Sequence, residues 1–201
     1  MDEQKIKSPC KGICVLDKER IRCIGCGRTI EQITNWGKCK MKYRREDFIE
    51  KLIAHEGLVL NVYKDTLGID TIGIGRNLED RGISQQELDD LDIPTIDHIY
   101  EYGITEADAV YLATNDVQIV EDELVRAHPC VDRLDSVRQL ILMDMAFNMG
   151  VPRLCKFVKM WSAIYEEDYP TAAKEMLDSR WAKQVKSRSI KLANAMHNGE
   201  F

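Results

Sequence analysis

The sequence predicts an α+β domain, mainly helical with one small β-sheet, preceded by a small cysteine-rich module. Three observations predict it. Five of the seven cysteines (Cys10, Cys14, Cys23, Cys26 and Cys39) fall in the first fifth of the chain, with only Cys130 and Cys155 beyond. One glycine-punctuated, β-branched stretch lies between Val59 and Arg76, and apolar residues recur at helical spacing through most of the chain beyond Ser84. A length of 201 residues, 44% hydrophobic and 31% charged, suits one packed domain with a small accessory and argues against disorder. The expected division is 1–41 for the module and 42–201 for the main domain.

Taking the elements in order, residues 8–40 carry cysteine, glycine and basic side chains but too few large apolar groups for a core. A basic junction from Lys40 to Arg45 leads into Phe48, Ile49, Leu52 and Ile53, one face of a helix expected over Glu46 to Glu56 with Gly57 past its end. Val62 and Tyr63, a turn near Thr66 to Gly68, and the run Thr71-Ile-Gly-Ile-Gly75 predict a hairpin or small sheet. Ser84 and Thr105 read as N-caps, each followed by acidic residues. Thr105 to Ala127 has helical periodicity, and Val137 to Met149 is apolar nearly all round, as a helix central to a domain would be. Further helices are expected over Leu154 to Glu166, over Thr171 to Trp181, and after Ser187.

Net charge is −6, but residues 1–46 hold 12 Lys/Arg against 6 Asp/Glu, so the remainder is strongly acidic. A solvated basic surface on a small module accounts for the positive end, and no nucleic-acid partner is expected. No apolar run approaches the ~18 residues of a membrane-spanning helix, and Met1 to Ser8 lacks the apolar centre of a secretory signal. The chain is therefore expected to start in the cytoplasm, where crowded cysteines point to metal ligation more than to disulfides.

Cys10 and Cys14, then Cys23 and Cys26, form two short pairs, each able to bring two thiolates to one tetrahedral ion through a tight turn. Zinc suits such a four-thiolate set, and an iron-sulfur cluster is the alternative. Cys39 stands outside the pattern. Ser8-Pro-Cys-Lys-Gly-Ile-Cys14, Cys23-Ile-Gly-Cys-Gly-Arg-Thr29 and the segment to Trp36 resemble a family of small bacterial domains of unknown function. That resemblance implies a metal-binding module and supplies no activity.

Glu56 at a helix end, Asp65 near a strand and Thr71 on the next strand supply two carboxylates and a hydroxyl, the set that glycosidic cleavage needs. One carboxylic acid protonates the leaving oxygen, while the other carboxylate steadies the cationic transition state or directs water. Taken as composition, two carboxylates nine residues apart mean nothing. Glu56-Gly57, Tyr63-Lys-Asp-Thr66, Gly68 and Thr71-Ile-Gly-Ile-Gly75, however, resemble the active-site stretch of the phage-type lysozymes. Ile104 to Ala109, Leu134 to Arg138, Ala146 to Gly150 and Ser179 to Trp181 match further family segments in order, over roughly Phe48 to Gly199.

The resemblance implies a two-lobed lysozyme-like fold. It makes Glu56 the proton donor, Asp65 the carboxylate that positions water or stabilises the sugar cation, and Thr71 the hydroxyl that helps hold the water. Gly75, Phe147 and Asn148 fall where the substrate cleft is lined, although Phe147 and Met149 also read as core. Arg188 falls where the family has an arginine paired with the catalytic Glu, and Arg76 where it commonly has histidine. His55 reads as structural.

The implied activity is hydrolysis of the bond between N-acetylmuramic acid and N-acetylglucosamine in peptidoglycan, with inversion and no catalytic cofactor. A lytic transglycosylase and a non-catalytic wall-binding protein are the alternatives. The implied setting is an endolysin, monomeric and not inserted in the membrane, released from a host cytoplasm with the help of a holin to act in the periplasm. The stretch Glu79 to Glu123 carries 14 Asp/Glu and one Arg, whereas many such enzymes are basic. Wall binding is thus expected to depend on the module or on Arg180, Lys183, Lys186, Arg188 and Lys191.

Overall fold

The computed structural model describes residues 41–201. The expectations on Cys10, Cys14, Cys23, Cys26 and Cys39 lie outside the described residues. The chain from Met41 is anchored before its first helix begins. The Lys42 N–H donates to Gln139 Oε1 at 2.7 Å and its ammonium to the Leu134 carbonyl at 2.6 Å. Helix α1, Arg45–Glu56, carries Glu46 and Asp47 in its first turn and His55 in its last, which suits the helix dipole. Its buried face is Phe48, Ile49 and Leu52, as the spacing predicts.

Three antiparallel strands succeed it in sequence order: β1, Val59–Lys64; β2, Asp70–Gly73; and β3, Arg76–Asn77. Tyr63 pairs with Thr71 and Lys64 with Asp70, and a register shift lies between Val59 and Tyr63. Two short helices come next: α2, Gln85–Asp90, and α3, Ile96–Tyr102. Helix α4 is long, Glu106–Ala127. Both expected caps close as capping boxes, Ser84 with Glu87 and Thr105 with Asp108, so each side chain satisfies the other's otherwise orphan N–H.

After a 3-10 turn at Pro129–Arg133 come α5, Ser136–Met149; α6, Val151–Leu154; α7, Val158–Tyr165; α8, Tyr169–Leu177; α9, Arg180–Val185; and α10, Ser187–Asn198.

The described residues form two cores, in agreement with two lobes. The smaller core joins the sheet to α2, α3 and the start of α4 through Ile72, Leu78, Leu88, Ile99, Ile104, Ala109 and Leu112. The larger is built around α5, where Ile141, Leu142, Met143 and Met145 are fully buried. Helix α5 is central to the larger core and does not bridge the two. The bridging element is α4, which gives Ala109 and Leu112 to one core and Ala113, Val117 and Leu124 to the other. A 22-residue helix is long enough, at about 33 Å, to serve both. α1 belongs to the larger core although it ends at the sheet.

Candidate active site

Glu56 is the last residue of α1. Gly57 beyond it takes φ +81, and its N–H closes on the Ile53 carbonyl at 2.9 Å, turning the chain straight into β1. A left-handed φ at this corner is what glycine permits. The Glu56 side chain is exposed and makes no hydrogen bond or ion pair among the described residues.

Asp65 comes just after β1 and is locked into the turn it opens. Its N–H donates to the Ile69 carbonyl at 2.9 Å, and its Oδ1 accepts from the N–H groups of Leu67 (2.8 Å) and Ile69 (2.9 Å). A side chain bonding its own turn in this way fixes the carboxylate without charge neutralisation. Thr71, on β2 opposite Tyr63, is buried, and its hydroxyl donates to the Ile69 carbonyl at 3.1 Å. The oxygen lone pairs stay available to a donor.

Tyr63 and Gly75 tie these groups together. Burial first, and then the negative charges of Asp65 and Glu56, raise the Tyr63 phenol above its ordinary range, so both carboxylates act on one ring. Gly75, at φ +75, lies against Glu56: a Cβ there would stand 3.8 Å from the Glu56 Cβ. The structure thus gathers Glu56, Asp65, Thr71 and Gly75 where α1 meets the sheet.

The remaining expected residues belong to the larger lobe. Phe147 packs edge-on against Phe48, ring centroids 6.1 Å apart, which makes it in part a core residue. Asn148 is exposed, and its Oδ1 accepts from the Trp181 indole at 3.0 Å. This bond leaves the amide NH2 free to donate. The partner of Asn148, Trp181, also lines a cavity of about 820 Å³, together with Met149 and Phe157. In the sequence Trp181 is only part of a family segment, and its link to Asn148 cannot be read across their 33-residue separation.

Arg188 is placed differently from expectation. It does not pair with Glu56 but holds Asp144 bidentately, at 3.1 and 2.8 Å. The cause is burial: Asp144, on α5, is 8% exposed and needs a cation, whereas exposed Glu56 is solvated and gains little from one. Arg188 still lines a recess that also includes His55, the neighbour of Glu56.

Arg76, which stands on β3 where the family commonly has histidine, is buried. It donates to both Glu87 carboxylate oxygens (2.9 and 2.8 Å) and to the Gly82 carbonyl, and lies 3.3 Å from Asp116. Burial alone would raise the Glu87 carboxyl, but hydrogen bonds from Ser84, Asn115 and Arg76 outweigh it and hold it at about 2. Among the described residues no group of three or more His, Cys, Asp or Glu could hold a metal, and no helix is long and apolar enough to cross a membrane.

Comparison with known proteins gives two family matches. Residues 8–54 match a protein family of unknown function (DUF1289), and residues 53–195 match the phage lysozyme family. Two probable T4-type lysozymes of Dictyostelium discoideum, 1 and 2, are each 29% identical over 153 residues, spanning 72% of this chain and 89% of theirs. The pre-baseplate central spike protein of Enterobacteria phage T4 is 29% identical over 167 residues, 76% of this chain but 28% of that longer protein.

Proposed function

The chain belongs to the phage lysozyme family, and we propose on that footing that it is a muramidase, hydrolysing the β-1,4 bond between N-acetylmuramic acid and N-acetylglucosamine in peptidoglycan. The observation that carries the reading is the pair of carboxylates without ion pairs, Glu56 at the end of α1 and Asp65 at the end of β1, both acting on the Tyr63 ring. A structural carboxylate is usually neutralised, as Glu87, Glu121 and Asp144 are here. Two left unpaired beside one glycine-lined corner suit a reaction in which charge develops between them.

In this mechanism Glu56 protonates the glycosidic oxygen. Its exposure means that the burial favouring the protonated acid comes from the sugar that covers it. Asp65, held through Oδ1 by two backbone N–H groups, turns its other oxygen to the sugar cation or to the attacking water. The Thr71 oxygen accepts a hydrogen bond from that water. Attack by water from the face opposite the leaving group gives inversion. Gly75 keeps the floor beside Glu56 low enough for a ring to approach. Phe147 and the Asn148 NH2 present an apolar and a polar contact on the other lobe, and Arg188 adds positive charge near the Glu56 end of α1.

Substitution tests the assignment. Glu56→Gln is expected to fold normally and to lose at least ~100-fold in the rate at which permeabilised Gram-negative cells clear, the scale of a lost general acid. Asp65→Asn is expected to be severely impaired, with reducing-end sugars as the wild-type product. Near-full activity of Glu56→Gln would remove the acid, and anhydro-sugar products with a mild Asp65→Asn effect would make the enzyme a transglycosylase.

The same reading assigns the protein to host-cell lysis as a monomeric endolysin that waits in the cytoplasm, is released with a holin and acts in the periplasm. For the N-terminal module, the donor set Cys10, Cys14, Cys23 and Cys26 fits a structural zinc, with an iron-sulfur cluster as the alternative. The metal has no step in the hydrolysis.

A further inference from the structure

A recess of about 400 Å³ lies between α1, α5 and α10, apart from the carboxylates assigned to catalysis. Its volume falls in the ~300–1,000 Å³ range of small-molecule sites. Phe48 from α1, Leu140 from α5 and Leu192 from α10 contribute an apolar lining. Around it stand Lys51 and His55 from α1 and Arg188 and Lys191 from α10, with Asp144 the carboxylate among the lining residues. Arg188 engages both oxygens of Asp144, and neither lysine forms an ion pair with that carboxylate.

Lys51 places its ammonium 4.0 Å above the Phe201 ring, and Lys191 has no ion pair among the described residues. The first turn of α10 opens on the same recess at Ser187, and no side chain caps it, which adds the positive end of a helix dipole. With the Arg188–Asp144 pair cancelling, Lys51 and Lys191 leave two cations at this site in a chain of net charge −6. Of its lining residues the proposed hydrolysis uses only the positive charge of Arg188; Lys51, Lys191 and the apolar lining have no part in it.

We propose that this recess binds a small soluble organic anion, a phosphate monoester or carboxylate bearing an apolar group about the size of one aromatic ring. The charged end meets Lys51, Lys191 and the α10 N-terminus, where charge-assisted hydrogen bonds form. The apolar end replaces water over Phe48, Leu140 and Leu192, a gain that an inorganic anion cannot make. Both halves are therefore needed, and that requirement separates a built site from general attraction of anions to basic side chains.

The test uses the full chain with phenyl phosphate as the probe, and inorganic phosphate and phenol as its separate halves. Calorimetric titration is expected to show phenyl phosphate binding at least about tenfold more tightly than either half, since phenol lacks the charge-assisted bonds and inorganic phosphate the apolar burial. Amide chemical shifts should move at Lys51, His55 and Ser187. Lys191→Gln should weaken binding by about the same factor, while Lys191→Arg retains it. The proposal is overturned if inorganic phosphate binds equally well, if Lys191→Gln leaves affinity unchanged, or if the shifts fall elsewhere. Lytic activity of the same variants is a separate readout, so the proposed hydrolysis can stand or fall independently.

Discussion

His128 shows how one side chain sets a pH limit. Its ring stacks on Trp161, centroids 3.5 Å apart and planes 7° from parallel, and burial lowers its pKa from 6.5 to about 4. The unfolded chain takes up a proton near 6.5, whereas the folded chain resists until about 4. The stabilisation is therefore complete above 6.5 and is lost as pH falls through 4. Glu87, held at about 2 from an ordinary 4.5, acts with the same sign in a lower window. Urea midpoints are expected to decline between pH 6.5 and 4, and His128→Phe, which keeps a ring against Trp161, should flatten that decline. An equally steep slope in the variant would assign the pH dependence to other groups. None of this is legible in the sequence, where His128 is a lone histidine and its partner lies 33 positions away.

Among the elements, Gly103 is the tightest fit. It caps α3 at φ +75, and a Cβ added there would lie 2.4 Å from the Leu60 carbonyl oxygen of β1. The next residue, Ile104, donates its N–H to that same oxygen at 2.8 Å. Gly103→Ala must move strand or helix, and a loss of about 2 kcal/mol or more in unfolding free energy is expected from strain at a special φ/ψ together with the clash. A change below half of that would mean that α3 is free to shift.

Elements with local signals are readable in the sequence. α1, the Ser84 and Thr105 caps, the sheet and the periodic α4 all lie where composition puts them. Two expected helices are broken instead: Leu154 to Glu166 divides at Cys155 to Phe157, and Thr171 to Trp181 divides where Ser179 caps α9. Apolar periodicity runs across both breaks, so it cannot mark them. In the site, Glu56, Asp65, Thr71 and Gly75 are close in sequence, and local structure places them where α1 meets the sheet. The Arg188 partner depends on the burial of Asp144, which periodicity alone does not supply.

For the whole molecule, the junction after the module is part of the main domain's packing. Tyr43 donates to Glu121 at 2.6 Å, and Arg45 pairs with the same fully buried carboxylate. A chain of residues 42–201 is therefore expected to keep the full chain's melting temperature and its activity on permeabilised cells. Starting at residue 47 instead should cost about 3 kcal/mol or more, because a buried carboxylate loses its cation. If the proposed zinc is bound, chelation or Cys23→Ser should remove one metal per chain and leave the catalytic melting transition unchanged, since a structural zinc, worth on the order of 10 kcal/mol, would stabilise its own module. A melt that shifted with metal would mean that the two parts share stability.

The division of α4 between two cores carries over into how the molecule breathes. The smaller core rests on seven buried apolar residues and the larger on far more, so local opening of the sheet side requires less free energy than global unfolding. Because one uninterrupted helix belongs to both, its amides before and after the step from Leu112 to Ala113 are guarded by different cores. Solvent deuterium should reach about the first two turns on the clock of the sheet and about the last four on the clock of α5. The small lobe can then loosen around Asp65, turn after turn, while the far end of the same helix stays closed.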